Sequence, residues 1–148
     1  HMTALLTETC KILVASAAAA AATTDLDGAV IDVGQDGGYD GIVVVAFTGD
    51  VTATSVLELQ LQGSALANGS SPSTEATTGT FTAGATDADS KLLLLDVARP
   101  ANRYVFSRLK RGTANAVVNG VFYVLYKGHK GVVTQAADVI KSALAVVK

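Results

Sequence analysis

The sequence predicts an all-β domain: an antiparallel two-sheet sandwich of about eight strands, jelly-roll-like or another Greek key. Three observations predict it. Segments that alternate apolar and polar, or run through Val, Ile and aromatic residues, recur at roughly 8–15-residue spacing. Gly (14 of 148 residues), Ser and Thr punctuate them, with one Met and no Trp. No βαβ alternation and no internal repeat competes with that pattern. The length suits one domain with a single core, read as an N-terminal arm (1–24), a sandwich (25–130) and a C-terminal apolar tail or short helix (131–148).

His1-Met2 reads as a cloning remnant. Apolar Leu5, Leu6, Ile12, Leu13 and Val14 surround a polar centre too short to assign. Ala15–Thr24 is low complexity with nothing to fill a core, as expected of an arm that packs against something else, and alanine's propensity equally allows a plain helical turn or two. Its Ala-rich part superficially resembles a secretory signal, but it is short and Glu8 sits where positive charge is required. Leu26–Val33 alternates around Asp27-Gly28 and reads as a strand, followed by a turn at Gly34–Gly38. Tyr39–Thr48 is a Val/Ile run of the kind buried on both faces or at the heart of a sandwich. Gly49-Asp50 fits a hairpin-like connection to Thr54–Gly63, where Leu57, Leu59 and Leu61 face in and Val56, Glu58, Gln60 and Gln62 face out. Ser64–Thr80 is a polar excursion, and Phe81–Ala85 a short strand.

Lys91–Lys130 holds most of the aromatic residues and most of the positive charge. Lys91–Val97 is a strand that Arg99-Pro100 ends, because proline cannot donate to a ladder. Arg103–Arg111 alternates, with Tyr104, Phe106 and Arg108 on one side and Val105, Ser107 and Leu109 on the other. Ala116–Lys127 carries β-branched and aromatic residues. A β-meander is the expected outcome. Beyond Gly131, an amphipathic helix from about Gln135 is favoured over an extended arm, with Ala136, Val139, Ile140, Ala143, Leu144 and Val147 along one side.

The net charge of −2 hides a division. Ile12–Ser90 contains ten acidic and no basic residues, while Lys91–Lys148 contains ten basic and two acidic. Such halves neutralise each other within one fold or attract between copies. The candidate contact residues are Arg99, Arg103, Tyr104, Arg108, Lys110, Arg111, Lys127 and Lys130. With Tyr104, Phe106, Tyr123 and Tyr126 among them, this block could stack single-stranded bases, but an acidic pI and aromatics at core positions argue against nucleic acid.

Little points to catalysis. Only His129 remains once the tag residue is set aside, between Lys127 and Lys130 in an expected exposed turn. One His and the lone Cys10 cannot supply a zinc site, and Cys10 excludes an intrachain disulfide. Asp25, Asp27, Asp32, Asp36 and Asp40 lack EF-hand spacing and read as turn chemistry. No phosphate-binding loop or nucleophile elbow occurs. A carbohydrate site would normally bring the Trp platforms missing here. No cofactor is implied, and no apolar run reaches the roughly 18 residues of a membrane span.

The order of signals, a VIDVG-like strand, LELQLQGS, the block LLLLDVARPANRYVFSRLKRG and VVNGVFYVLYKGHKG, resembles the small jelly-roll cement or decoration proteins of tailed bacteriophage heads. Its most specific part is RP-x-x-RY, here Arg99, Pro100, Arg103 and Tyr104, and the likeness covers roughly residues 25–130. It implies a structural virion protein, made in the host cytoplasm, that binds the capsid exterior as a dimer or trimer and bridges neighbouring major capsid proteins. No catalytic residues come with it. The competing readings are a tail, baseplate or receptor-binding knob and a carbohydrate-binding sandwich.

Overall fold

The structure, a computed structural model, describes residues 5–129 and 131–146. Its strands, in chain order, are β1 (Lys11–Ser16), β2 (Ala19–Ala22), β3 (Leu26–Asp27), β4 (Ile31–Asp32), β5 (Tyr39–Val51), β6 (Val56–Ser64), β7 (Ser73–Thr77), β8 (Phe81–Thr82), β9 (Leu92–Ala98), β10 (Tyr104–Gly112) and β11 (Ala116–Gly128). One sheet runs β1-β11-β5-β9, with β2 also on β11. The other runs β3-β10-β6-β7, with β4 also on β10 and β8 on β6. Every pairing is antiparallel. Because β1/β2, β3/β4 and β7/β8 are interrupted halves of single tracks, the expected eight strand positions emerge in a jelly-roll order.

The core lies between the sheets. Ile42, Val44 and Ala46 of β5 and Val121, Tyr123 and Leu125 of β11 face Leu59 and Leu61 of β6 and Val105 and Leu109 of β10, all at 2% exposure or less. A smaller cluster of Val51, Leu57, Ala83, Ala88 and Ala116 closes one end. Within the main core, the Tyr123 hydroxyl accepts from the Ser107 N–H (2.9 Å) and donates to the Ala29 carbonyl (2.8 Å), so this buried polar group is satisfied. Burial pushes its phenol up to about 12. A Cβ on Gly28 would come within 2.4 Å of Ser107 Oγ and 2.6 Å of the Tyr123 hydroxyl. Only glycine passes there, and the strand expected over Leu26–Val33 is accordingly divided into β3 and β4.

Four expectations are corrected. The block from Lys91 to Lys130 is not a meander: β9 and β11 lie in one sheet, separated by β5, and β10 lies in the other. Gly49-Asp50 makes no hairpin, because β5 runs through to Val51 and β6 belongs to the opposite sheet. The segment read as an arm supplies β1 and β2, with Cys10 and Ala15 buried. Small side chains suffice because β2 lies at a sheet edge and gains its hydrogen bonds from β11.

The tail, finally, is not helical over its described part; residues 131–146 form no regular element, and Val147 lies outside the described residues. Gln135 accepts from the Ile12 N–H (3.0 Å) and donates to the carbonyls of Thr7 (2.9 Å) and Cys10 (2.7 Å), while Asp138 accepts from the Val14 N–H (2.8 Å). Val133 adds a backbone bond to the Glu8 carbonyl (2.9 Å). A short isolated helix is marginal in water, whereas these side chains satisfy the open edge of β1. Sequence periodicity sees the apolar stripe and not that edge.

Candidate interaction surfaces

Most of the described basic candidates are engaged within the chain. On the outer side of β10, Arg108 makes a two-pronged pair with Asp27 (2.8 and 3.1 Å) and Lys110 reaches Asp25 at 3.5 Å. Arg103, just before the strand, grips Asp32 with both ends of its fork (2.8 and 2.8 Å). Arg103 lies over Tyr104 and Arg108 over Phe106, at 5.5 and 5.7 Å from the ring centroids. The acidic residues beyond β4 follow suit, with Lys11 on Asp36 (3.1 Å) and His129 against Asp40. The charge division therefore resolves, in the three pairs Arg103–Asp32, Arg108–Asp27 and Lys110–Asp25, as neutralisation inside the fold. Among the described residues no three His, Cys, Asp or Glu gather as a metal site.

Arg111 behaves differently. It faces inward at 5% exposure and donates to three main-chain carbonyls, those of Thr24 (2.9 Å), Ala20 (3.0 Å) and Ala116 (2.8 Å). Arg99 and Lys127 are exposed, and each holds a left-handed backbone (φ 51° and 52°). Lys130 lies outside the described residues. Tyr123 is fully buried, and Phe106 is covered by the excursion at Gly69, so the aromatic residues do not form one stacking row.

The RP-x-x-RY element makes the crossover from β9 to β10. The Arg99 N–H donates to the Asp40 carbonyl (2.6 Å), and Pro100 cannot continue the ladder. The Glu75 carboxylate then collects the N–H groups of Ala101 and Asn102 and the Asn102 amide (2.5, 3.1 and 3.0 Å). Arg103 completes the turn through Asp32. Hydrogen bonding to Arg103 holds the Asp32 carboxyl below the usual carboxylate range. A depressed folded-state value stabilises the fold above the unfolded value, near pH 4, and that contribution is lost as pH falls through the folded value. Asp32→Asn is therefore expected to lower the melting temperature at neutral pH by an amount that shrinks as the pH is taken below about 4, as thermal melts across that range will read.

The two sheets present opposite outer faces. On the β6 sheet, Gln60 donates to Glu58 (3.0 Å), and Gln62 donates to Gln60 and Thr74 (both 2.8 Å), giving a polar ladder. On the β5 sheet the registers place Val14, Phe122, Val45 and Leu94 side by side across all four strands. Next to that row run Ile12, Val124, Val43 and Asp96, and on its other side Phe47 lies between Gly120 and Leu92. Val14, Phe47, Leu92, Leu94 and Phe122 are 37–59% exposed. A contiguous apolar face of this kind marks a contact surface. At its β9 margin a groove of about 500 Å³ opens between the sheets, lined by Leu57, Phe81, Ala88, Leu92, Leu93 and Leu94 among others. Sequence reading missed the face because Val43, Val45 and Phe47 looked like residues buried on both sides; the alternation of polar residues that marks the β6 face is absent here.

No family model matches the chain, and no relative is found among curated proteins. No helix among the described residues is long and apolar enough to cross a membrane.

Proposed function

We propose that this chain is a structural protein of a phage virion, binding the outside of the capsid and cementing neighbouring major capsid proteins. The observation that carries the reading is the apolar outer face of the β5 sheet, where Phe122, Val14, Phe47, Leu92 and Leu94 are exposed around a buried Val45. A monomer rarely leaves such a face uncovered, and a flat four-strand surface fits a shell better than it fits a small molecule. The sequence resemblance supplies the identity of that shell, and the jelly-roll order agrees with it. Repetition over a lattice lets modest contacts hold firmly, so no single contact need be tight.

The test is binding of the purified protein to expanded heads of the parent phage and to its isolated major capsid protein, followed by cosedimentation. Association with either supports the reading, and absence of both overturns it. Phe122→Glu is expected to weaken that association at least tenfold, about 1.4 kcal/mol, without lowering the melting temperature by more than a few degrees. Phe122 is 37% exposed and its loss opens no cavity.

A further inference from the structure

We propose that the free edge of β9 takes up the C-terminal segment Ile140–Val146 of a second copy as an added antiparallel strand. The inference goes beyond the proposed function and stands whether or not a capsid is the target. Edge strands are templates for pairing unless blunted. The opposite edge of the same sheet is blunted, since Gln135 and Asp138 occupy the Ile12 and Val14 N–H groups. In the other sheet, β7 is a five-residue polar edge, STEAT. By contrast β9 is seven residues long, reads LLLLDVA, carries one charge and no proline, and pairs only with β5 among the described strands.

The occupant follows from the tail. After Asp138 the chain leaves β1, and Ile140, Leu144 and Val146 are 98%, 55% and 67% exposed, apolar residues with nothing over them in the monomer. Ile140, Ser142, Leu144 and Val146 alternate with Lys141, Ala143 and Ala145, a strand period that puts the three larger aliphatic residues on one side. One register satisfies both sides of β9. Lys141 opposite Asp96 places opposite charges together on the outer face, and the same register sets Ala143 and Ala145 opposite Leu94 and Leu92. Leu144 then faces Leu93 at the groove, with Ile140 opposite Val97. The chain's own tail cannot reach that position. β11 and β5 lie between β1 and β9, a distance of about 14 Å at ~4.8 Å per strand, and two residues beyond Asp138 span at most about 7 Å. The strand must come from another molecule, either reciprocally or around a closed ring.

Two measurements test the proposal. The full chain should have a solution mass at least twice 15.0 kDa by light scattering, and a chain ending at Val139 should be monomeric and still melt cooperatively, its midpoint below that of the full chain and independent of concentration. In a Cys10→Ala background, mixing a Leu94→Cys chain with an Ala143→Cys chain under oxidation should yield the mixed disulfide at least ~10-fold above the mismatched pair Leu94→Cys with Lys141→Cys, because bridging needs Cβ atoms about 4 Å apart. A monomeric full chain, an oligomer that survives truncation, or equal cross-linking of both pairs overturns it. Failure here is separable from failure of the capsid reading. Oligomers that ignore heads overturn only the latter, and monomers that bind heads overturn only the former.

Discussion

Leu59→Asp is expected to abolish the cooperative melt at room temperature. Leu59 is 0% exposed at the middle of β6, opposite Leu109 of β10 and within the cluster that includes Leu61, Val44 and Leu125. No cation among those core residues could pair with a carboxylate placed there. The variant must either bury an unpaired charge or hold the carboxyl protonated and lose leucine's burial, and both routes cost about 4 kcal/mol or more. Domains of this size hold only about 5–15 kcal/mol in total. Leu59→Ala, which opens a cavity without adding a charge, should cost about 2–5 kcal/mol and leave a measurable transition. A cooperative melt in Leu59→Asp near the parent midpoint would place this face of β6 outside the core. Circular dichroism with urea titration decides it.

The alternation that predicts this effect was plain in the sequence, because one side of β6 meets the core and the other meets water, and LELQLQ records the two environments in turn. The same holds for β10. It fails for β5 and β11, whose outer face is apolar as well, so a contact surface and a doubly buried strand leave the same run of Val and Phe. It fails also for partner choice. The sequence of β9, β10 and β11 gives three good strands with short connections, and a meander is the cheapest pairing locally. The jelly-roll order instead inserts β5 between β9 and β11, a long-range arrangement set by closing two sheets around one core. Charge shows the complementary limit. Acidic and basic blocks were evident along the chain, but which of them meet depends on β3 and β4 lying beside β10, a pairing that Gly28 permits by letting the backbone pass the Tyr123 hydroxyl.

Those pairs bear on what the basic block can do. Arg103 and Arg108 each present a fork to a carboxylate of the same chain, and the geometry leaves fewer donors for a partner. On the apolar face and along β9, the described residues make one such contact, the Tyr126 hydroxyl donating to Asp96 (2.7 Å), and no ion pair. Assembly through these surfaces would therefore be driven mainly by burial of Val14, Phe47, Phe122, Leu92 and Leu94 and should depend only weakly on salt, in contrast to association steered by exposed charge.

Arg111→Ala is expected to destabilise the isolated subunit by about 3 kcal/mol, since hydrogen bonds from a charged donor contribute roughly 1.5–3 kcal/mol each and the carbonyls left behind are partly buried. Its guanidinium ties β10 to two distant parts of the chain, β2 and the residues just after it at Ala20 and Thr24, and the start of β11 at Ala116. Desolvation lowers its pKa, yet the ordinary value is so high that the group stays charged at neutral pH. The cost of burying that charge works against the bonds it makes. Arg111→Met, which keeps much of the volume and removes the charge, should accordingly lose less than Arg111→Ala. Arg111→Lys keeps the charge but offers a point donor in place of a fork, and should fall between the parent and the alanine variant. Were Arg111 an exposed contact for a partner, all three substitutions would leave the melting midpoint of the subunit within about half a kcal/mol of the parent. Chemical denaturation of the four proteins, with a common slope, separates the two cases.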